Sequence, residues 1–163
     1  MRRFALAFLS LVLVTAATAS EWRYEGGNVP IAWFDTDAAQ FQFACRGGQL
    51  AMGFWVRKPD PAVASASVMS LAITPDPAAG SRVTAASGTS FAQDMPLVHL
   101  DGTSVIVRGP VARQWARIAQ GARTDMRVAY VRQAASGLEA FDSTVFGAKG
   151  SSAAIAQVLK TCG

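Results

Sequence analysis

The stretch Phe41–Val56, FQFACRGGQLAMGFWV, constrains this chain more than any other. Two β-prone runs flank Gly47-Gly48, and a Gly-Gly loop suits the primed turns of hairpins because both central residues can take positive φ. Counting outward from the turn sets Cys45 against Leu50, Phe43 against Met52 and Phe41 against Phe54. Side chains alternate along a strand, so these six share one face of the ribbon. Gln42, Ala44, Ala51, Gly53 and Trp55 take the other. The result is one dense apolar face with a cysteine at its turn end. A slip of one residue would turn that whole face to water, so the register is strongly specified.

The chain has only two cysteines, and the second, Cys162, lies one residue from the end of the sequence. Ser151–Thr161 before it reads as a helix, with Ser151 or Ser152 as the cap. Ile155, Val158, Leu159 and Cys162 recur at i, i+3, i+4 and i+7, which is one helical stripe. Docking that stripe on the hairpin's apolar face would bring Cys162 to Cys45. The two are too far apart in sequence for a CxxC redox pair. In an oxidising compartment a disulfide is the expected outcome.

Residues 1–19 supply that compartment. Arg2 and Arg3 precede an apolar run from Phe4 to Val14, and Ala17-Thr18-Ala19 matches a small-x-small cleavage site. This is the pattern of an export signal, and the run is short for a membrane anchor. The expected organisation is a signal peptide over 1–19 and a single domain over 20–163, periplasmic or secreted, with no membrane span after cleavage. Loss of Arg2 and Arg3 reduces the formal net charge of +4 by two. With so small a charge and no run of consecutive basic residues, nucleic acid is not an expected partner.

The remaining elements follow from alternation and turn residues. Trp22-Arg23-Tyr24 is β-prone. Val29–Asp35 reads as a strand apolar on both faces, as in the centre of a sandwich. Val68–Thr74 alternates Met69, Leu71 and Ile73, and Pro75-Asp76-Pro77 ends it. Pro75–Ser90 is an exposed connection with a short strand expected at Arg82–Ala85. Asp101-Gly102 marks a second hairpin, with Val98 opposite Val105 and His99 opposite Ser104. Gly109-Pro110 starts a helix over Val111–Gln120, in which Val111, Trp115 and Ile118 form one face and Arg113 and Arg117 another. Asp125–Arg132 and Leu138–Phe146 form the last pair of strands. The expected fold is mainly β: an antiparallel sandwich or strongly curved sheet with two short helices.

Chemistry-bearing patterns are sparse. His99 is the only histidine. Ser104 with Asp94 or Asp101 would complete a triad on paper, but no G-x-S-x-G elbow occurs, and Ser104 is already its expected cross-strand neighbour. Two cysteines and one histidine, all far apart, make no metal-site spacing. Asp35-Thr36-Asp37 lacks the glycine and distal glutamate of a calcium loop and reads as a turn. No metal, cofactor or catalytic residue is expected. The candidate binding residues are Trp55, which faces away from the hairpin's apolar side, Arg57 just beyond it, and the helical pair Arg113 and Arg117. Against this stands a Trp55 covered by a second layer and arginines that only solvate the surface.

The tail from Phe146-Gly-Ala-Lys-Gly150 through the Ala-rich helix to Cys162, with the helix-to-strand segment Trp115–Val131, resembles the endings of small periplasmic proteins. It is similar to the invasion-associated locus B type and to the type VI secretion accessory protein VasI. That resemblance implies a non-enzymatic, β-rich envelope protein, virulence- or secretion-associated, that binds another envelope or extracellular protein. A second resemblance, in the Cys-bearing strand and Gly turn, is to periplasmic lysozyme inhibitors, and implies inhibition of a cell-wall hydrolase. N-terminal sequencing of protein recovered from the periplasm should start at Ser20 or within a residue or two; an intact Met1–Ala19 would remove the exported reading.

Overall fold

Two antiparallel sheets face each other. In the computed structural model residues 21–85 and 88–162 are described. The export signal expected at 1–19 lies outside them. The first sheet orders β1 (Arg23–Glu25), β2 (Ile31–Asp35), β3 (Ala39–Arg46), β4 (Gln49–Val56) and β7 (Thr103–Arg108) side by side. The second orders β6 (Ser90–Pro96), β5 (Val68–Pro75), β8 (Asp125–Ala134) and β9 (Gly137–Gly147). The helices are α1 (Pro61–Ala64), α2 (Pro110–Gly121) and α3 (Ser151–Thr161). Among the described residues no helix is long and apolar enough to cross a membrane.

The organising hairpin forms in the expected register: Cys45 pairs with Leu50, Phe43 with Met52 and Phe41 with Phe54. Gly47 and Gly48 have φ of 58° and 75°, the left-handed pair that a type I′ turn needs. All six inward side chains are buried. Far from the turn, the second sheet covers them: Phe54 meets Tyr130 and Phe41 meets Phe146, with ring centroids 5.3 and 5.5 Å apart. Towards the turn the cover is helical, because α2 packs on β4 and β7 while α3 packs on β1, β2 and β3. Trp22 closes the remaining side, its ring against Phe34, Phe41 and Phe43 and its Nε1 donating to the Gly147 carbonyl at 3.0 Å.

Cys45 and Cys162 form the disulfide, with Cα atoms 5.6 Å apart across 117 positions. Ile155, Val158 and Cys162 are the buried stripe of α3, and Leu159 is at its margin. The helix cap differs from expectation. Gly150, at φ 83°, holds the N-cap position, and Ser151 is buried in the first turn without capping. A Cβ on Gly150 would come within 3.2 Å of the Trp22 carbonyl oxygen, so the close passage of β1's lead-in selects glycine.

Five other expectations are corrected. Leu97–Val107 is not a hairpin within one sheet: β6 belongs to the second sheet and β7 to the first. Only a single bridge joins the two runs, and it sets Val98 against Ser104 rather than Val105. The Asp101-Gly102 turn exists, but it serves a strand that crosses between layers. Arg82–Ala85 is irregular rather than a strand, although Val83 is buried against the second sheet's outer face. The strand at Val29–Asp35 is trimmed to Ile31–Asp35 and lies next to the edge strand β1 rather than at the sheet centre. In α2 the buried face is Ala112, Trp115, Ala116 and Ala119, with Val111 and Ile118 at its border. A third helix, α1, forms where Asp60 caps a single turn through Ala62 N–H at 2.8 Å.

Phe43→Ala should cost about 3–5 kcal/mol in chemical denaturation, as aromatic truncations in cores do. Gln42→Ala, on the outer face, should cost less than about 1 kcal/mol. Cys45→Ser with Cys162→Ser should cost roughly 2–5 kcal/mol by the same measurement.

Candidate binding surfaces

The expected binding residues fall at two separate places. Trp55 sits near the far end of β4, whereas Arg113 lines a cleft with Gly48, Gln49 and Leu50 at its start. Five residues of strand, about 17 Å, separate Leu50 from Trp55. No single surface combines all four.

At the far end the side chains satisfy one another. The Arg57 guanidinium lies over the Trp55 ring, 4.5 Å from its centroid. Its Nη2 donates to both oxygens of the Asp35 carboxylate at 2.7 and 2.9 Å, and Nη1 donates to the Thr36 carbonyl at 2.6 Å. Trp55 Nε1 donates to the Asp101 carbonyl at 2.8 Å. A guanidinium that is stacked, shared through one nitrogen between both oxygens of a carboxylate and bonded through another to a carbonyl keeps few donors for a ligand. Covering of Trp55 thus comes from Arg57 and the Asp101 loop, not from a second sheet or helix.

The turn end is different. A cleft of about 650 Å³ opens between the hairpin tip and the start of α2, lined by Gly48, Gln49, Leu50, Arg108, Gly109, Pro110 and Arg113. A shallower hollow of about 490 Å³ continues along α2 past Arg113 to Gln114, Arg117 and Ile118. Arg113 is partly engaged, since its Nη2 donates to the Cys162 carbonyl at 3.0 Å. Arg108 and Arg117 are exposed. Among the described residues, no carboxylate pairs with Arg108, Arg113 or Arg117. Three cationic side chains therefore border the cleft and its continuation along α2 without a carboxylate partner among the described residues.

Arg108 is the member that sequence reading missed. Its role depends on β7 lying beside β4, which places Arg108 against Ala51. Only the Gly109-Pro110 helix start, directly after Arg108, hints that it stands at an element junction.

His99 is exposed and bonded at both ring nitrogens. A carbonyl only accepts, so Nε2 donates to the Ala66 oxygen at 2.7 Å, while Nδ1 lies 2.9 Å from Thr103 Oγ1. The ring pins the Leu97–Gly102 crossing to the segment before β5, and Ser104 does not approach it as a nucleophile would.

A third cleft, about 420 Å³, lies between Asp37, Val56, Arg57, Lys58 and the β9 residues Asp142, Ser143 and Thr144. Asp142 has φ 47° and accepts from the Asp60 N–H with both carboxylate oxygens, at 3.1 and 2.9 Å. Burial pushes its pKa up and the Asp60 charge adds to this, while the Asp60 N–H pulls it down. Tyr130 is pushed up strongly by burial, with Asp142 contributing. Asp60 caps α1 and Asp142 holds Asp60, so both carboxylates serve the local frame. Asp76, by contrast, is exposed and collects the backbone N–H groups of Thr124, Arg123 and Asp125 on one oxygen, with Thr124 Oγ1. The Thr124 N–H is the main cause that holds its pKa below the ordinary range, and with the remaining hydrogen bonds it outweighs desolvation.

Comparison with protein-family models, with curated proteins and with solved structures finds no match to this chain.

The two aspartates bias stability in opposite senses. A lowered native pKa at Asp76 supplies stability above the ordinary carboxylate pKa, lost as pH falls through the lowered value. A raised native pKa at Asp142 supplies stability only at low pH, lost as pH rises through the raised value. In denaturation series across pH, Asp76→Asn should therefore lower stability near neutrality and flatten the acid limb. Asp142→Asn, which keeps an acceptor and tolerates positive φ, should raise stability near neutrality and change little in acid.

Proposed function

We propose that this protein is an exported, non-enzymatic interaction domain of the cell envelope, periplasmic or secreted, that binds another protein through the arginine-bordered cleft at the hairpin tip. One observation carries the proposal: Arg108 and Arg113 line that cleft and Arg117 lines the hollow that continues from it along α2, with no carboxylate partner among the described residues. Arginine is suited to such a task because its planar fork pairs with carboxylates in two bonds and stays charged at all relevant pH. The partner surface is accordingly acidic. The Cys45–Cys162 disulfide fits an oxidising compartment. The tail's resemblance to locus B-type and VasI-type envelope proteins points the same way.

A second reading, inhibition of a cell-wall hydrolase, has one feature in its favour. The crossing from β6 to β7 presents Leu100, 75% exposed, followed by the exposed carboxylate of Asp101 and the small Gly102. A Cβ at Gly102 would run into the Val56 carbonyl oxygen, so this tip is rigidly seated on β4's end.

The test is affinity capture from envelope extract with the full chain, followed by titration of the purified partner. Reversal of charge by Arg108→Glu with Arg117→Glu should weaken the partner at least about tenfold, a loss of two desolvated charge pairs. Wild-type affinity should fall with added salt. Affinity indifferent to both the reversal and the salt would overturn the cleft as the site. Loss of lysozyme inhibition on Leu100→Ser, with capture unaffected by the arginines, would instead favour the second reading.

A further inference from the structure

The four outer strands of the two sheets are not equally protected. β1 is three residues long. In β6, two residues, Gln93 and Asp94, stand opposite the single Ser70, with Asp94 at φ 50°. In β9, Asp142 and Ser143 stand opposite Ala129, with Asp142 at φ 47°. Short length and bulges are the usual devices that keep a sheet edge from recruiting another strand. β7 has neither. It pairs with β4 from Thr103 to Arg108 without a register shift.

Its outer side is half used. Ser104 exchanges both backbone bonds with Val98, at 2.8 and 2.9 Å. Leu97 then leaves the edge, its N–H bound to the Ser67 carbonyl at 2.9 Å beside β5. Bonding direction alternates along an antiparallel strand, so the N–H and C=O of Ile106 and Arg108 point outward as those of Ser104 do. No partner is described for them. Ile106 is 47% exposed, whereas Val107 beside it is buried. The open half of the edge leads directly into the arginine cleft through Arg108.

We propose that the free edge of β7, at Ile106 and Arg108, takes an extended acidic segment of a partner protein as an added strand. The inference rests on the cleft reading for the partner's charge but on the edge geometry for its conformation. Backbone pairing would supply affinity, and alternate acidic side chains would meet Arg108 and Arg117. A second copy of this chain fits poorly. Antiparallel self-pairing centred on Ile106 would set Arg108 against a Ser104 whose backbone Val98 already holds. Pairing centred on Arg108 would set like charges face to face.

The probe is a displayed library of random linear peptides, selected on the full chain. Expected binders are extended and rich in Asp and Glu, and they slow hydrogen exchange at the Ile106 and Arg108 amides. Ile106→Pro removes only an outward N–H, which edge strands tolerate. It should weaken these peptides about tenfold while the melting midpoint holds. Should Ile106→Pro not fold, N-methylation of alternate peptide residues makes the same cut from the ligand side and should weaken binding about tenfold in one phase only. Binders lost on Arg117→Glu but indifferent to Ile106→Pro and N-methylation overturn the added strand and leave the cleft standing. Binders lost on Ile106→Pro but indifferent to Arg117→Glu and salt support the edge and overturn the cleft. Selection that yields no edge-protecting peptide, or a dimer in sedimentation that Ile106→Pro dissociates, overturns the proposal.

Discussion

Phe41, Phe43, Met52 and Phe54 lie side by side on the inner face of β3 and β4, and the other elements are positioned by how they cover them. The second sheet reaches them through Tyr130 and Phe146, α3 through its apolar stripe, and Trp22 from the N-terminal side. Aromatic side chains bury large areas, so exposing this face would cost more than any single bond in the molecule contributes. The disulfide is secondary to that burial: it ties the end of α3 to a face the helix already covers, and it acts chiefly by restricting the unfolded chain.

Because the inner face is consumed by packing, chemistry is left to the rim. There the two arginine groups behave differently for a simple reason. Arg57 has Asp35, the Thr36 carbonyl and the Trp55 ring within reach, and its charge is neutralised locally. Arg108, Arg113 and Arg117 sit where a turn, a strand end and a helix start converge, and none of those elements brings a carboxylate. Uncompensated positive charge beside a concave surface favours an anionic partner and speeds its approach.

The same economy of edges shapes the sheets. Left-handed aspartates bulge β6 and β9, and Asp142 does so at the cost of a partly buried carboxylate with a raised pKa. Bulging two edges while β7 stays regular concentrates the available backbone donors and acceptors beside the arginines.

Much of this was legible from residue order. The Gly47-Gly48 turn and the alternation around it dictate the β3–β4 register, because a two-residue loop leaves no freedom in the pairing. The 3.6-residue period from Ile155 to Cys162 likewise determines which side of α3 is buried, and with it the cysteine pairing. Three things were decided only by the tertiary structure. Asp101-Gly102 looks like a hairpin turn locally, yet β6 and β7 part into different sheets because each finds a longer partner, β5 and β4. Gly150 rather than a serine caps α3 because the chain there is left-handed, at φ 83°, and the Trp22 carbonyl lies close to where a side chain would start. Arg108 and Arg113 reach the hairpin tip because β7 lies beside β4, a neighbour far away in sequence. Local patterns encode turns, faces and periods; which strands become neighbours depends on competition among long-range pairings, and that is settled only when the layers pack.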